Sequence, residues 1–329
     1  MALLIYWYDF ICFGIVVGAY IGSLWVLWRK EFAARRDNNT IHDSLLVDGG
    51  LPRNHVGSSQ LWTTCWKSVS PLWLLLTRFI SFVIMAALLT LDIINWGPSV
   101  YIYYTEWTFT LVMVYFALAT VISTYGCWLS TSKVSYENGT MNGDREEGGT
   151  LTSIIYRAKE IRGVIKMQSR HAEEAVRHRA GFWGYLMQTV YQTSAGAVIL
   201  TDLVFWCIIV PFGSNAHLHL NLLMGCMHSL NAVFLLIDTA LNNLPFPWFR
   251  IAYFVQWSCV YVVFQWVIHA CGLTWWPYPF LELDLTWAPL WYFVLAVVHI
   301  PCYGFYALLV NAKHSIFPKL CPSCYVRSY

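Results

Sequence analysis

Two side chains in this sequence have the types that acyl transfer needs: the hydroxyl of Thr108 and the imidazole of His228. A threonine hydroxyl is a weak nucleophile at its own pKa and requires a base within hydrogen-bond reach. A neutral histidine can take that proton and return it to a leaving alkoxide. Thr108 lies in the apolar run 101–125 and His228 in the apolar run 219–241. Within the second run Asn221, His228, Asn231, Asp238 and Asn242 are separated by 7, 3, 7 and 4 residues, spacings that keep them on one face of a helix. Asn231 and Asp202 are the two candidates to orient the imidazole. His269 and His299 are further candidates to line the same site, and Arg78 and Asp238 are expected to pair as a structural ion pair.

The elements that must carry these residues follow from composition. The 329 residues are 58% hydrophobic and 12% charged, about half the charge of an ordinary soluble domain. Seven mostly apolar stretches, roughly 3–28, 72–95, 101–128, 183–211, 218–241, 251–273 and 289–311, each reach the ~20 residues that a helix needs to cross a bilayer. The runs are continuous rather than alternating, which excludes a β-barrel. The expected fold is all-α: a single polytopic membrane bundle (1–329) of seven transmembrane helices. The first run lacks a basic leader and a cleavage motif and reads as an uncleaved anchor.

Lysine and arginine are confined to one side. Six of the 20 fall between residues 29 and 70 and nine between 130 and 181. Lys313, Lys319 and Arg327 follow the last run, and the connections 96–100, 212–217 and 274–288 have none. The positive-inside rule then places the N-terminus outside or in a lumen and the C-terminus in the cytosol, in the plasma membrane or an endomembrane. Cytosolic segments are expected at 29–70, at 130–181 and in the tail 313–329. Residues 137–149 read as disordered, and 153–180, with a charge balance of +4, read as a basic amphipathic helix or a solvated linker helix. Asn38 and Asn138 sit in glycosylation sequons but on the cytosolic side, so neither is expected to be used. The CPSC sequence at Cys321–Cys324 reads as a palmitoylation site.

A rise of 1.5 Å per residue puts Thr108 roughly 10 Å, His228 roughly 15 Å and Asp202 about 12 Å below the outer surface. Ionisable groups at such depth face the bundle interior and have partners. Gln188, Gln192, Gly196 and Asp202 share a face of the fourth run, and Ser194–Ala197 are small enough for close helix contact. The Trp276–Phe280 segment, rich in aromatics and proline, reads as a rigid cap over the outer mouth of the bundle.

Three phrases carry a resemblance: Tyr104-Thr105-Glu106-Trp107-Thr108-Phe109-Thr110, Cys226-Met227-His228-Ser229 leading to Phe234–Asp238, and Trp276-Pro277-Tyr278-Pro279-Phe280-Leu281-Glu282. Over about residues 61–314 they resemble the rolling stone family, especially its plant branch. More distantly they are similar to the androgen-induced-gene and androgen-dependent TFPI-regulating proteins, membrane hydrolases that cleave fatty acid esters of hydroxy fatty acids with a threonine and a histidine. The resemblance implies Thr108 as nucleophile and His228 as base, with Thr105 and Thr110 close enough to leave the register open. Those hydrolases have about six spans, so the first run and the basic loop here are additions.

The expected function is that of an intramembrane lipid ester hydrolase acting on membrane lipids or a fatty-acyl ester, with no cofactor, metal or nucleic acid. The alternative is a non-catalytic membrane protein in signalling, adhesion or membrane fusion. A zinc amidohydrolase using Asp202, His228, His269 and His299 is disfavoured, because Tyr303 stands four residues after His299 where that class has a second histidine.

Overall fold

The computed structural model describes residues 6–44, 57–140, 180–212 and 222–325, at 32–44, 132–140 and 212 by their backbone alone. Among these, seven helices are long and apolar enough to cross a membrane. They are α1 (Asp9–Ser44), α2 (Pro71–Trp96), α3 (Tyr104–Thr140), α4 (Phe182–Val204), α5 (Leu222–Leu241), α6 (Ile251–Ala270) and α7 (Ala288–Leu320). The protein is an integral multi-pass helical membrane protein. The described residues contain no strand, only an isolated bridge between Trp66 and Tyr325.

Local chemistry sets the helix ends. Ser70 caps α2 by accepting from the Leu72 amide at 3.3 Å, and Pro71 fills the first helical position, where no amide is needed. Gly97 closes the other end at φ 76°, a left-handed conformation that glycine adopts without strain, and Pro98 prevents further winding. At the end of α4 the chain widens into a π turn over Phe205–Ile209 before Val210–Phe212. Pro211 explains it: its ring has no amide to give back and crowds the preceding turn.

α4 is the central helix: 61% of its spanning window lies inside the protein, against 22–39% for the other six. It packs against α3, α5, α6 and α7, while α2 leans on α3 and α5, and α1 on α6 and α7. Its small residues permit this. A Cβ on Gly196 would stand 2.6 Å from the ring of Phe254 on α6. The outside of the bundle is apolar, with Ile94, Val121, Leu308 and Trp7 all exposed. A belt of that kind is a lipid-facing surface, since water would penalise it heavily.

Between lipid and lipid-like side chains there is little hydrophobic drive, so packing and interhelical hydrogen bonds must hold the bundle. A dense set of these lies toward the end where the basic segments attach, here the basic end; the opposite end, covered by residues 271–287, is the cap end. Arg78 Nε donates to Asp238 Oδ1 at 2.7 Å with both groups buried. Arg78 Nη1 also donates to Leu61 O at 2.8 Å and Ser123 Oγ at 2.7 Å. Asp238 Oδ2 accepts from Tyr115 Oη and from Asn242 Nδ2. Lys313 Nζ donates to the carbonyls of Thr239 at 2.7 Å and Asn242 at 2.6 Å, capping the C-terminal dipole of α5 with a positive charge.

Several boundaries differ from the sequence reading. α1 stays helical to Ser44 and α3 to Thr140, so the segments beginning at 29 and 130 open as helix, as do the first four residues of 137–149. The last part of 29–70 is folded onto the bundle: Leu61 and Cys65 are buried, and the Cys65 amide donates to Leu241 O at 2.9 Å. Lys313 belongs to α7, not to the tail, because its ammonium is used inside. Cys321 and Cys324 are bonded to each other, which leaves neither thiol free to carry an acyl chain. All of the expected helix over 153–180 except Ala180 lies outside the described residues, as does Asn221.

Candidate functional site

α3 and α5 run in the same direction, and the Tyr115–Asp238 hydrogen bond sets their register. Seven residues, two turns, toward the cap end lead from Tyr115 to Thr108 and from Asp238 to Asn231. Both are buried, at 0% and 1% exposure. Thr108 therefore faces the Asn231 level, and His228 stands one turn, about 4.5 Å, further toward the cap. Both share the interior face that Tyr115 and Asp238 define.

His228 is 1% exposed, and its ring stacks flat on Phe205, centroids 3.7 Å apart and 7° between planes. Phe205 is the first residue of the π turn, so the widening caused by Pro211 also positions the aromatic plate under the imidazole. Nδ1 of His228 lies 3.4 Å from Asp202 Oδ1. That is a close charge contact without hydrogen-bond geometry, and neither imidazole nitrogen has a hydrogen-bond partner. Asn231 reaches the Asp202 carboxylate, so both candidate orienting groups are present, with Asp202 next to the ring and Asn231 behind it.

Thr108 Oγ1 also makes no hydrogen bond. The Tyr104 hydroxyl, one turn away on the same face, approaches it but bonds Ser258 Oγ at 2.8 Å. Thr108 and His228 are consequently not hydrogen-bonded to each other. The chemistry on hand is a buried alcohol, a buried imidazole with both nitrogens open, and a carboxylate against one of them.

The other two histidines are differently committed. His269 Nδ1 pairs with Gln265 O at 2.7 Å and Nε2 with Trp275 O at 3.0 Å, and its ring stacks on Trp276 at 3.6 Å. It pins the cap to α6 and does not reach the Thr108 level. His299 Nδ1 pairs with Leu295 O at 2.6 Å and Nε2 with Ser258 Oγ at 2.8 Å. Among the described residues no group of three or more histidine, cysteine or acidic side chains could hold a metal.

The start of α3 is tied to the side of α6. The carbonyl of Ile102 accepts from Tyr261 Oη at 2.8 Å and Gln265 Nε2 at 2.6 Å, one to two turns short of the end of α6. Thr108 therefore lies below that level. Sequence reasoning missed Ser258, Tyr104 and Phe205. A signal existed for the first: Phe254, Ser258, Tyr261, Gln265 and His269 recur at steps of four, three, four and four, one face of α6.

Fold and burial thus define a multi-pass membrane protein with a polar interior cluster in its cap half. The chain matches no family model, no curated protein and no solved structure.

Proposed function

We propose that this protein is an intramembrane lipid ester hydrolase, with Thr108 as nucleophile and His228 as general base. What supports the reading is isolation at a shared level: a buried hydroxyl and a buried imidazole on the parallel helices α3 and α5, about a turn apart in register, each without a hydrogen bond. Leaving such groups unpaired costs about 1–3 kcal/mol each, a cost that a bound carbonyl and its leaving oxygen would offset. Thr108 Oγ1 attacks the acyl carbonyl as His228 takes its proton. His228 then returns the proton to the departing alcohol, and water releases the fatty acid from the threonine ester. Asp202, beside Nδ1, holds the imidazole and stabilises it when charged.

The resemblance of the three sequence phrases to the androgen-induced-gene and androgen-dependent TFPI-regulating hydrolases supports the same residues. One observation favours the alternative of a non-catalytic protein in signalling, adhesion or fusion: Thr108 and His228 make no bond to each other. Purified protein in detergent, given a fatty-acyl ester of a hydroxy fatty acid, is expected to release fatty acid. Thr108→Ala and His228→Ala should each reduce the release that runs through Thr108 by about a hundredfold or more. A fluorophosphonate adduct mapped by peptide mass spectrometry should fall on Thr108. Unchanged release in both variants, with no adduct at Thr108, would overturn the assignment.

A further inference from the structure

A second hydroxyl–imidazole pair is already hydrogen-bonded. Ser258 Oγ on α6 lies 2.8 Å from His299 Nε2 on α7, and the remaining contacts fix the direction of every proton. His299 Nδ1 sits 2.6 Å from the carbonyl of Leu295, which can only accept, so Nδ1 carries the proton and Nε2 carries the lone pair. Ser258 must then donate to Nε2. The Tyr104 hydroxyl, 2.8 Å from Ser258 Oγ, must in turn donate to Ser258. The chain runs Tyr104 to Ser258 to His299 to the Leu295 carbonyl, with the serine oxygen next to a neutral base in the required tautomer.

The ring of His299 is held as well as bonded. Phe254 packs on it at 4.4 Å between centroids, and Phe254 is itself seated against Gly196 of α4. Ser258, His299 and Tyr104 line a cleft of about 80 Å³ bounded by α3, α4, α6, α7 and the cap. Its other walls are largely apolar, including Leu200, Val204, Val262, Leu281 and Leu295. The volume suits an ester group and its first few methylenes, with the rest of a chain lying in the bilayer. A polar nucleophile with an apolar approach is what a neutral acyl ester needs, whereas a charged or sugar-like ligand would find few polar groups to satisfy it.

We propose that Ser258 and His299 form a second nucleophile–base centre, opening on this cleft and acting on long-chain acyl esters. Ser258 Oγ attacks the carbonyl carbon while its proton passes to His299 Nε2, and the carbonyl π pair moves to oxygen. The pair returns as the ester C–O bond breaks, and Nε2 protonates the departing alcohol. Water, the co-substrate, then attacks the acyl-serine, its proton going to Nε2 and from there to Ser258 Oγ as the fatty acid leaves. Tyr104, no longer needed by the serine oxygen once that oxygen is acylated, is placed to donate to the carbonyl oxygen. Tyr104 is a positioning residue in the resting state, since it reaches the base only through Ser258. The centre shares no nucleophile or base with Thr108 and His228 and stands or falls separately from them.

The test maps fluorophosphonate adducts on full-length protein in detergent by peptide mass spectrometry. Wild type and Thr108→Ala should both carry an adduct on Ser258, and Ser258→Ala should lose that adduct. His299→Gln, which keeps a hydrogen-bonding side chain there, should slow labelling of Ser258 by about a hundredfold. Ser258→Cys guards against misfolding: its thiol should alkylate with iodoacetamide faster with His299 in place than in the Ser258→Cys/His299→Gln double variant. Absence of an adduct at Ser258 in wild type, or a labelling rate indifferent to His299→Gln, would overturn the proposal and leave the bond as a helix tie. An adduct on Thr108 alone would overturn it while sustaining the other centre.

Discussion

The two ends of the α3–α5 seam are built to opposite rules. At the basic end, Asp238 accepts from Arg78, Tyr115 and Asn242, and Arg78 also reaches Leu61 and Ser123; Arg78 Nη2 is the one nitrogen there without a partner. Two to three turns toward the cap, Thr108 and both nitrogens of His228 have none, although burial is as complete. Deep burial demands compensation, so the satisfied end holds the helices together and the unsatisfied end awaits something. Saturation, rather than burial or polarity, separates scaffold from site along this seam.

The harshest way to break that comparison is at the saturated end. Asp238→Ala would leave the guanidinium of Arg78 buried and uncompensated, at a cost of about 3–5 kcal/mol. A fall in thermal midpoint, read by fluorescence-detected size exclusion, should be the largest of any single substitution discussed here. Arg78→Met with Asp238→Leu should recover much of it, because replacing a buried ion pair whole is far less costly than halving it. A smaller loss, about 1.5–3 kcal/mol, is expected for Tyr115→Phe, which deletes one charge-assisted donor to Asp238 and loosens the register between α3 and α5. Equal midpoints for Tyr115→Phe and wild type would show that the register is set elsewhere.

Sequence periodicity was sufficient for the seven spans and for the interior face of α5, because an apolar helix with polar groups at steps of seven, three, seven and four can point them only one way. It also singled out Arg78 and Asp238, the ions with no reason to be in a span unless paired. Periodicity puts Ser258 on one face of α6 but names no partner for it, since an isolated serine in a span satisfies itself on its own backbone as often as it does anything else. Only the crossing of α6 with α7, where Phe254 packs on His299, brings it to His299. Residues 57–70 were likewise illegible. Their docking depends on carbonyls left open at the end of α5, which Cys65 and the Trp66 indole fill. The tie between the start of α3 and α6 was illegible too, because it depends on the Ile102 carbonyl, which accepts from Tyr261 and Gln265.

Gly196 offers a sharper cut. A methyl group there would press within 2.6 Å of Phe254, and the ring that must move is the one lying on His299. Gly196→Ala should cost about 1–3 kcal/mol through overpacking. It should also slow fluorophosphonate labelling of Ser258 while leaving the Thr108 seam bonded as before. Equal slowing at both centres would mean that α4 moves as a whole rather than at this contact.

The smallest expected effect on stability is the most informative. His228→Leu keeps an apolar body of similar size against Phe205 and removes two buried nitrogens that have no hydrogen-bond partner. Asp202 loses its neighbour but retains Asn231, and its side chain keeps 17% exposure. Deleting unsatisfied polar atoms in exchange for well-packed apolar ones is close to neutral or stabilising. The midpoint should therefore stay within about 1 kcal/mol of wild type, while ester hydrolysis through Thr108 is lost. A drop as large as that of Tyr115→Phe would mean that His228 has partners in the membrane that bind it as firmly as Asp238 is bound. The contrast between the two ends of the seam would then be one of geometry alone, not of purpose.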